Sequence, residues 1–184
     1  MMHKAITLGV ATAAALISSS ILAGNAGSRY AGIQYAITTY SEDGVSEEPK
    51  PTALIGLVGA NITDNFAVEG RLGTGLQDDT VTVSGTEATM DIDSLIGVYG
   101  VGHINLARGS SVYGLLGLSR VELNISLPDY PAQGSKSDDD TGLSFGIGAD
   151  IPVSNYIALN IEYVQYLISG FDISALSFGV KFGI

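Results

Sequence analysis

The sequence predicts an all-β fold, a transmembrane antiparallel up-and-down β-barrel of about eight strands. The last segment, Ser174 to Ile184, alternates between large apolar residues and small or charged residues, as a strand between lipid and a narrow lumen requires. About seven alternating segments precede it, each near the ~9–11 residues that a tilted membrane strand needs. Their connections run long, short, long, short, long, short and medium. Barrels with short periplasmic turns, longer outer loops and periplasmic termini show this asymmetry.

The composition and net charge exclude several classes of site and partner. The 184 residues fit one domain, and the absence of cysteine excludes disulfides and thiolate metal sites. Eight Lys and Arg against 19 Asp and Glu give a net charge of -11. This charge argues against nucleic acid as a partner and against a polybasic grip on anionic lipid. No loop has the spacing of an EF-hand, so no metal ligand is named. No cofactor is expected.

The N-terminus is typical of a secretory signal peptide. An apolar run, Ala5 to Leu22, follows the weakly basic start at His3 and Lys4. Small residues then occupy the usual cleavage positions. Cleavage is predicted after Ala26, with Ala23 as the alternative, so residues 1–26 are a removed signal and residues 27–184 form the barrel domain. A retained membrane anchor is the competing interpretation, because the run is near the ~20 residues of a spanning helix.

The first three predicted strands differ in how clearly they show their faces. In Tyr30 to Tyr40 the apolar side chains point to lipid on every second residue, while the facing of Thr52 to Ala60 is ambiguous. Phe66 to Leu76 is the clearest internal strand. Its lipid face holds Phe66, Val68, Leu72 and Leu76, and its lumen face holds Glu69, Arg71, Gly73 and Gly75.

The next two strands are harder to orient. In Thr89 to Ile104, a lipid face made of Met90, Ile92, Ile96 and Val98 would send Leu95 and Tyr99 inward, and a bulge would reconcile the two phases. In Ser111 to Asn124, the expected lipid face comprises Tyr113, Leu115, Val121 and Leu123, and the expected lumen face comprises Gly114, Arg120, Glu122 and Asn124.

The last three strands alternate cleanly. Thr141 to Ile151 sets Phe145 and Ile147 against Ser144 and Asp150. The remaining two strands follow the same rule. Tyr156 to Leu167 sets Ile157, Leu159, Ile161, Tyr163 and Leu167 against Ala158, Asn160, Glu162 and Tyr166, and the final strand sets Leu176, Phe178, Val180, Phe182 and Ile184 against Ser177, Gly179, Lys181 and Gly183.

The inward charges form a predicted lumen network. Glu69 and Arg71 lie two residues apart on one strand and therefore share a face. A lone charge in a narrow lumen is costly, so these groups are expected to pair. Two interpretations stay open: a charged plug or gate, and the packed polar core of a barrel just wide enough for side chains. The network comprises Glu69, Arg71, Arg120, Glu122, Asp150, Glu162 and Lys181.

The three predicted outer loops, residues 41–51, 77–87 and 125–140, are acidic. A solvated, repulsive rim is one interpretation. Divalent cations shared with lipopolysaccharide phosphates are the other. The carboxylates are Glu42, Asp43, Glu47 and Glu48 in the first loop, Asp78, Asp79 and Glu87 in the second, and Asp129, Asp138, Asp139 and Asp140 in the third.

The chain from about Tyr30 to Ile184 resembles the small eight-stranded bacterial outer-membrane barrels, the OmpA transmembrane domain and OmpX-like proteins. The resemblance rests on Phe66-Ala67-Val68-Glu69, Tyr113-Gly114-Leu115-Leu116-Gly117, Gly146-Ile147-Gly148-Ala149-Asp150, Ile161-Glu162-Tyr163 and the last strand. In that strand Ser177, Gly179, Phe182 and Ile184 resemble the family's insertion signal. The resemblance implies a Gram-negative outer-membrane location, contact with lipid and lipopolysaccharide, delivery by the barrel assembly machinery, and a monomer.

The expected function is a non-enzymatic, membrane-stabilising scaffold that displays acidic surface loops. One alternative is an adhesin or immune-evasion protein that binds host or surface proteins through its loops. Another is a narrow, porin-like channel gated by the lumen ion pairs. An enzyme is not expected, because His103 is the one histidine beyond the signal and lies near the periplasmic end of its strand.

Overall fold

The computed structural model describes residues 25–41, 50–77, 79–83, 86–126, 136–168 and 171–184. Residues 1–24 of the predicted signal peptide lie outside these ranges, as do 42–49 of the first outer loop. The described chain is almost entirely β-strand, with one 3-10 turn at Ala107–Gly109. The strands are β1 (Arg29–Ser41), β2 (Thr52–Asn61), β3 (Phe66–Gln77), β4 (Asp79–Val83), β5 (Thr86–Asn105), β6 (Ser111–Ser126), β7 (Lys136–Pro152), β8 (Ile157–Ile168) and β9 (Phe171–Gly183).

The strands close into one antiparallel barrel. Their order is β3-β2-β1-β9-β8-β7-β6-β5-β4, and β3 also pairs with β5. Since β3 and β4 both pair with β5, they are successive parts of one barrel wall, and the ring has eight positions. β1 and β9 seal the chain ends together, from Tyr30 against Gly183 to Ser41 against Asp172. The predicted fold class is confirmed.

Most predicted faces are correct. On β1, β3, β7, β8 and β9 the predicted lipid-facing residues point outward and the opposite phase points inward. The inward phase also holds large side chains, among them Tyr30, Val164 and Tyr166. The ambiguous second strand turns Ala53, Ile55 and Leu57 into the lumen. No helix among the described residues has the length and apolar character to span a bilayer.

The fourth predicted strand is correct except at one end. Leu95 and Tyr99 point inward, and Ile96 and Val98 point outward, as expected. Ile92, however, is buried in the lumen, so its predicted lipid-facing position is wrong. The pairing of β5 with β6 shifts register between Ile92 and Ser94. This irregularity inserts one residue and reverses the alternation on its outer side, where Ile92 lies.

The fifth predicted strand faces the opposite way. Tyr113, Leu115 and Val121 are buried in the lumen, and Arg120 is exposed on the outer face, with Glu122 in the same phase. Both phases of β6 carry apolar residues, because Val112, Leu116 and Leu118 supply a lipid face of their own. The polar end of Tyr113 settles the choice, since its hydroxyl finds partners only inside the barrel.

The second and third outer loops are shorter than predicted. β4 and β5 pair up to Val83 and Thr86, and β6 and β7 pair up to Ile125 and Lys136. These hairpins continue past the apolar belt because backbone pairing needs no lipid face. Their acidic residues Asp79, Glu87 and Asp138 to Asp140 therefore lie on strands, whereas Asp78, Asp129 and residues 42–48 lie outside the described residues.

Candidate functional site

Arg71 is the central residue of a cluster of charged side chains in the lumen. Its Nε donates to Glu69 Oε1 at 2.6 Å, and its Nη1 and Nη2 donate to Glu162 Oε1 and Oε2 at 2.5 and 2.7 Å. All three side chains are 0% exposed. The guanidinium carbon also lies 4.7 Å from the centroid of the Tyr99 ring. Arg71 therefore makes a bidentate pair with one carboxylate, a second pair with another, and a cation–π contact.

The Arg71–Glu162 pair spans the barrel. Arg71 stands on β3 and Glu162 on β8. In the eight-position ring these strands are four positions apart in either direction, so they face each other across the lumen. The ion pair therefore joins opposite walls of the barrel, whose size is one that side chains are just able to fill.

Two tyrosines donate hydrogen bonds to the carboxylates of Glu69 and Glu162. Tyr30 Oη donates to Glu69 Oε2, and Tyr113 Oη donates to Glu162 Oε2, both at 2.8 Å. Glycines make room for both rings: a Cβ at Gly59 would overlap the Tyr30 ring, and one at Gly148 would overlap the Tyr113 ring. These inward glycines are therefore part of the site, because they let the ring atoms lie against the barrel wall.

A second polar layer lies closer to the periplasmic turns. Lys181 Nζ donates to Asp150 Oδ2 at 3.1 Å, and Asn160 Nδ2 donates to Asp150 Oδ1 at 2.6 Å. Gln34 Nε2 donates to Asn160 Oδ1 at 2.6 Å. Asn160 Nδ2 also reaches Tyr113 Oη at 2.7 Å, which joins the two layers. Lys181 Nζ lies 4.4 Å from the Tyr113 ring centroid, so its charge is shared between a carboxylate and an aromatic face.

The lumen above Arg71 is packed with hydroxyls and apolar groups. Tyr99 Oη and Ser144 Oγ both hydrogen-bond to Ser119 Oγ. The space around them holds buried apolar side chains. They include Ile55, Leu95, Val164 and Tyr166.

Five of the seven predicted lumen charges meet in this site: Glu69, Arg71 and Glu162 in one layer, and Asp150 and Lys181 in the other. Arg120 and Glu122 do not, because β6 faces the other way; Ser94 Oγ donates to Glu122 Oε2 at 3.3 Å near the outer rim. The sequence reasoning missed Gln34, Tyr30 and Tyr113. A glycine paired beside each tyrosine, Gly59 and Gly148, was the available signal.

The remaining predicted residues have clear positions. Ser177 and Gly179 face the lumen on β9, and Phe182 and Ile184 face outward beside the chain terminus. His103 faces inward, with its ring centroid 5.5 Å from that of Tyr113, and neither of its nitrogens has a hydrogen-bond partner among the described residues. Within the same residues no cluster of three His, Cys, Asp or Glu side chains has the geometry to hold a metal ion.

Solved structures share this fold. Ail, the attachment invasion locus protein of Yersinia pestis, is 17% identical, with 87% of this chain and 100% of that chain covered and a TM-score of 0.63. OprG from Pseudomonas aeruginosa is 16% identical over 88% and 98%, with a TM-score of 0.61. Neisserial surface protein A is 18% identical over 84% and 96%, with a TM-score of 0.57. At these identities the likeness establishes the fold.

The family assignment comes from the sequence itself. No curated protein gives a significant match. The profile of the family described as "Outer membrane protein beta-barrel domain" matches residues 6–183, nearly the whole chain. The closed eight-position barrel, its apolar outer belt and its polar interior are what that family requires. The chain therefore belongs to the outer membrane protein beta-barrel domain family, and it is a small barrel of the bacterial outer membrane.

Proposed function

We propose that this protein is a non-enzymatic scaffold that stabilises the outer membrane, with a closed lumen and acidic surface loops. The observation that carries the proposal is the Arg71–Glu162 bridge between opposite walls. A lumen held shut by buried ion pairs gives a rigid body in the bilayer. The rest of the outer surface is an apolar belt, so the extended contact that the barrel offers is with lipid.

The same core argues against the channel interpretation. To open a path, Arg71 would have to leave two carboxylates and the Tyr99 ring while remaining in a narrow lumen. Breaking a buried pair is strongly unfavourable, because it leaves an uncompensated charge. Apolar side chains above the bridge add a second barrier to ions. A stable closed state is therefore the better proposal than a gated pore.

The position of His103 supports a non-enzymatic role. Enzymes that modify membrane lipids need a nucleophile and a base where they meet the lipid. The His103 ring points into the lumen and is 7% exposed. Its aromatic neighbour, Tyr113, is committed to Glu162 and Asn160. The imidazole is thus shielded from the lipid by the barrel wall.

The competing proposal is an adhesin that binds its partner through the outer loops. Ail of Yersinia pestis has been solved with the heparin analogue sucrose octasulfate, a polyanion. The outer loops of the present chain and the strand ends beside them are rich in carboxylates, which disfavours polyanions and leaves protein or cation-bridged contacts. The proposal includes two partners: lipopolysaccharide, which would contact the outer rim, and the barrel assembly machinery, which would insert the chain. It also includes a monomeric state.

Loop removal separates the scaffold from the adhesin. Residues 42–49 and 127–135 would be replaced by short Gly-Ser turns, and the variant would be expressed in cells that lack this gene. We expect it to restore resistance to bile salts as well as the wild type does, because the barrel wall and its core are unchanged. The measurement is survival in bile salts, together with binding to cultured host cells.

The control for this experiment is the amount of folded barrel, which a heat-sensitive gel shift reports. At equal amounts, a loop-shortened protein that fails to restore resistance would overturn the scaffold proposal. Loss of host-cell binding with resistance intact would assign adhesion to the loops and scaffolding to the barrel.

A further inference from the structure

An open groove of about 610 Å³ crosses the outer face of β5 to β9. Its floor is formed by Gly102, Gly114 and Ala149, and its walls include Ile104, Ile147 and Tyr163. The volume falls within the ~300–1,000 Å³ range of small-molecule sites. The walls project strongly, since Ile147 is 70% exposed and Ile104 is 65% exposed. The barrel therefore has a hollow in a surface that elsewhere presents side chains to lipid.

The groove lies in the periplasmic half of the membrane belt. Gly102 pairs with Gly114 across β5 and β6, and Gly114 pairs with Ile147 on β7. This row is three residues from the ends of both strands at the β5–β6 turn, which is about 10 Å at the rise of a strand. Short turns face the periplasm in this family, so the groove opens to the inner leaflet. That leaflet is the phospholipid layer of an outer membrane.

Packing within the protein does not require glycine at either floor position. A Cβ at Gly102 would meet nothing within 4 Å, and one at Gly114 would meet only the Gly146 carbonyl oxygen at 3.9 Å. The lumen glycine Gly148 differs, because the Tyr113 ring occupies the space of its missing side chain. Glycine in a strand costs stability and often marks the close approach of another molecule. Here the open space lies outside the barrel.

A cation stands at the membrane boundary below the groove. Arg108 lies in the β5–β6 turn, four residues from both Ile104 and Val112, and its side chain is exposed. It is the basic residue of that turn, which has no acidic residue in its first turn. An arginine at this depth suits a phosphate, with which it forms charge-assisted bonds. The apolar groove therefore suits the acyl chain of a lipid, and the exposed Arg108 suits the phosphate of its headgroup.

We propose that this face binds one anionic glycerophospholipid of the inner leaflet, with an acyl chain along Gly102, Gly114 and Ala149 and its phosphate against Arg108. Such a lipid would order the bilayer around the barrel. The proposal goes beyond the scaffold role and does not depend on whether the lumen is closed.

Native mass spectrometry of the refolded protein, delipidated in detergent and exposed to equal amounts of phosphatidylglycerol and phosphatidylethanolamine, tests the proposal. We expect one retained lipid, with phosphatidylglycerol preferred about fivefold, as one basic group near an anionic surface gives. Arg108→Asn should abolish the preference. Gly102→Leu/Gly114→Leu should cut retention about tenfold, because the two leucine side chains would fill the floor of the groove and remove the dispersion contacts of the acyl chain there.

Matched controls exist on strands outside the groove. Arg29 is an exposed cation on β1, which is four ring positions from β6, and Gly56 is an outward glycine on β2 with room for a side chain. Arg29→Asn and Gly56→Leu should retain lipid like the wild type. Three outcomes would each overturn the proposal. The Gly102/Gly114 variant could retain as much lipid as the wild type, the controls could lose as much lipid as the groove variants, or a species of two barrels could appear in place of the bound lipid. The gel shift confirms that every variant is folded.

Discussion

Replacement of Arg71 by leucine is expected to lower the free energy of unfolding by about 3–5 kcal/mol. Arg71 is the shared partner of Glu69 and Glu162, and all three side chains are inaccessible to solvent. Its removal leaves two carboxylates in a narrow lumen, where Tyr30 and Tyr113 supply hydrogen bonds but no charge. The measurement is urea-induced unfolding in lipid vesicles, followed by the heat-sensitive gel shift.

Two comparisons make this result specific. Arg120→Leu removes an equally charged side chain from the exposed outer face of β6, where ion pairs contribute about 0–1 kcal/mol. The triple variant Glu69→Gln/Arg71→Met/Glu162→Gln removes all three charges and should be more stable than Arg71→Leu alone, since no charge is left uncompensated. Equal losses for Arg71→Leu and Arg120→Leu would contradict the assignment of Arg71 to the core and of Arg120 to the outer face.

Replacement of Gly148 by leucine is expected to cost about 1–3 kcal/mol through overpacking. The new side chain would take the space of the Tyr113 ring, whose hydroxyl links Glu162 and Asn160. If the ring is displaced, these buried groups lose their partner, which adds about 1–3 kcal/mol. Urea unfolding of the refolded barrel in vesicles measures the change.

Gly56→Leu is the matched control for Gly148→Leu. Gly56 faces outward, and a Cβ there meets only the Leu72 carbonyl oxygen at 3.8 Å, an ordinary contact. We expect a change within about 0.5 kcal/mol, as for other surface substitutions. A lumen with spare room would instead accept leucine at Gly148 as readily as at Gly56, and this result would rule out close packing around Tyr113.

The alternation of residue types predicted the barrel wherever one phase of a strand was apolar. β3, with Phe66 and Leu72 against Glu69 and Arg71, is such a case. Alternation could not orient β6, because Val112 and Leu116 make one apolar face while Tyr113 and Leu115 make another. Its true phase depends on the partners that Tyr113 finds on β8, two strands away.

The charge pairing was predictable only in part. Pairing of the inward charges follows from the cost of a lone buried charge. That Arg71 would choose Glu162 required β3 and β8 to stand opposite each other, which is a property of the closed ring and not of either strand. The shift of phase at Ile92 likewise comes from a local register change in the pairing of β5 with β6, and strand periodicity carries no trace of its position.

Single-channel recording tests the closed lumen most directly. The refolded protein would be inserted into a planar bilayer, with insertion confirmed by the heat-sensitive gel shift of the same sample. The bridge from Arg71 to Glu162 across the barrel leads us to expect no discrete current steps from the wild type. Reproducible steps that change in size or frequency with Glu69→Lys would contradict the closed core and would assign the lumen charges to a gated pore.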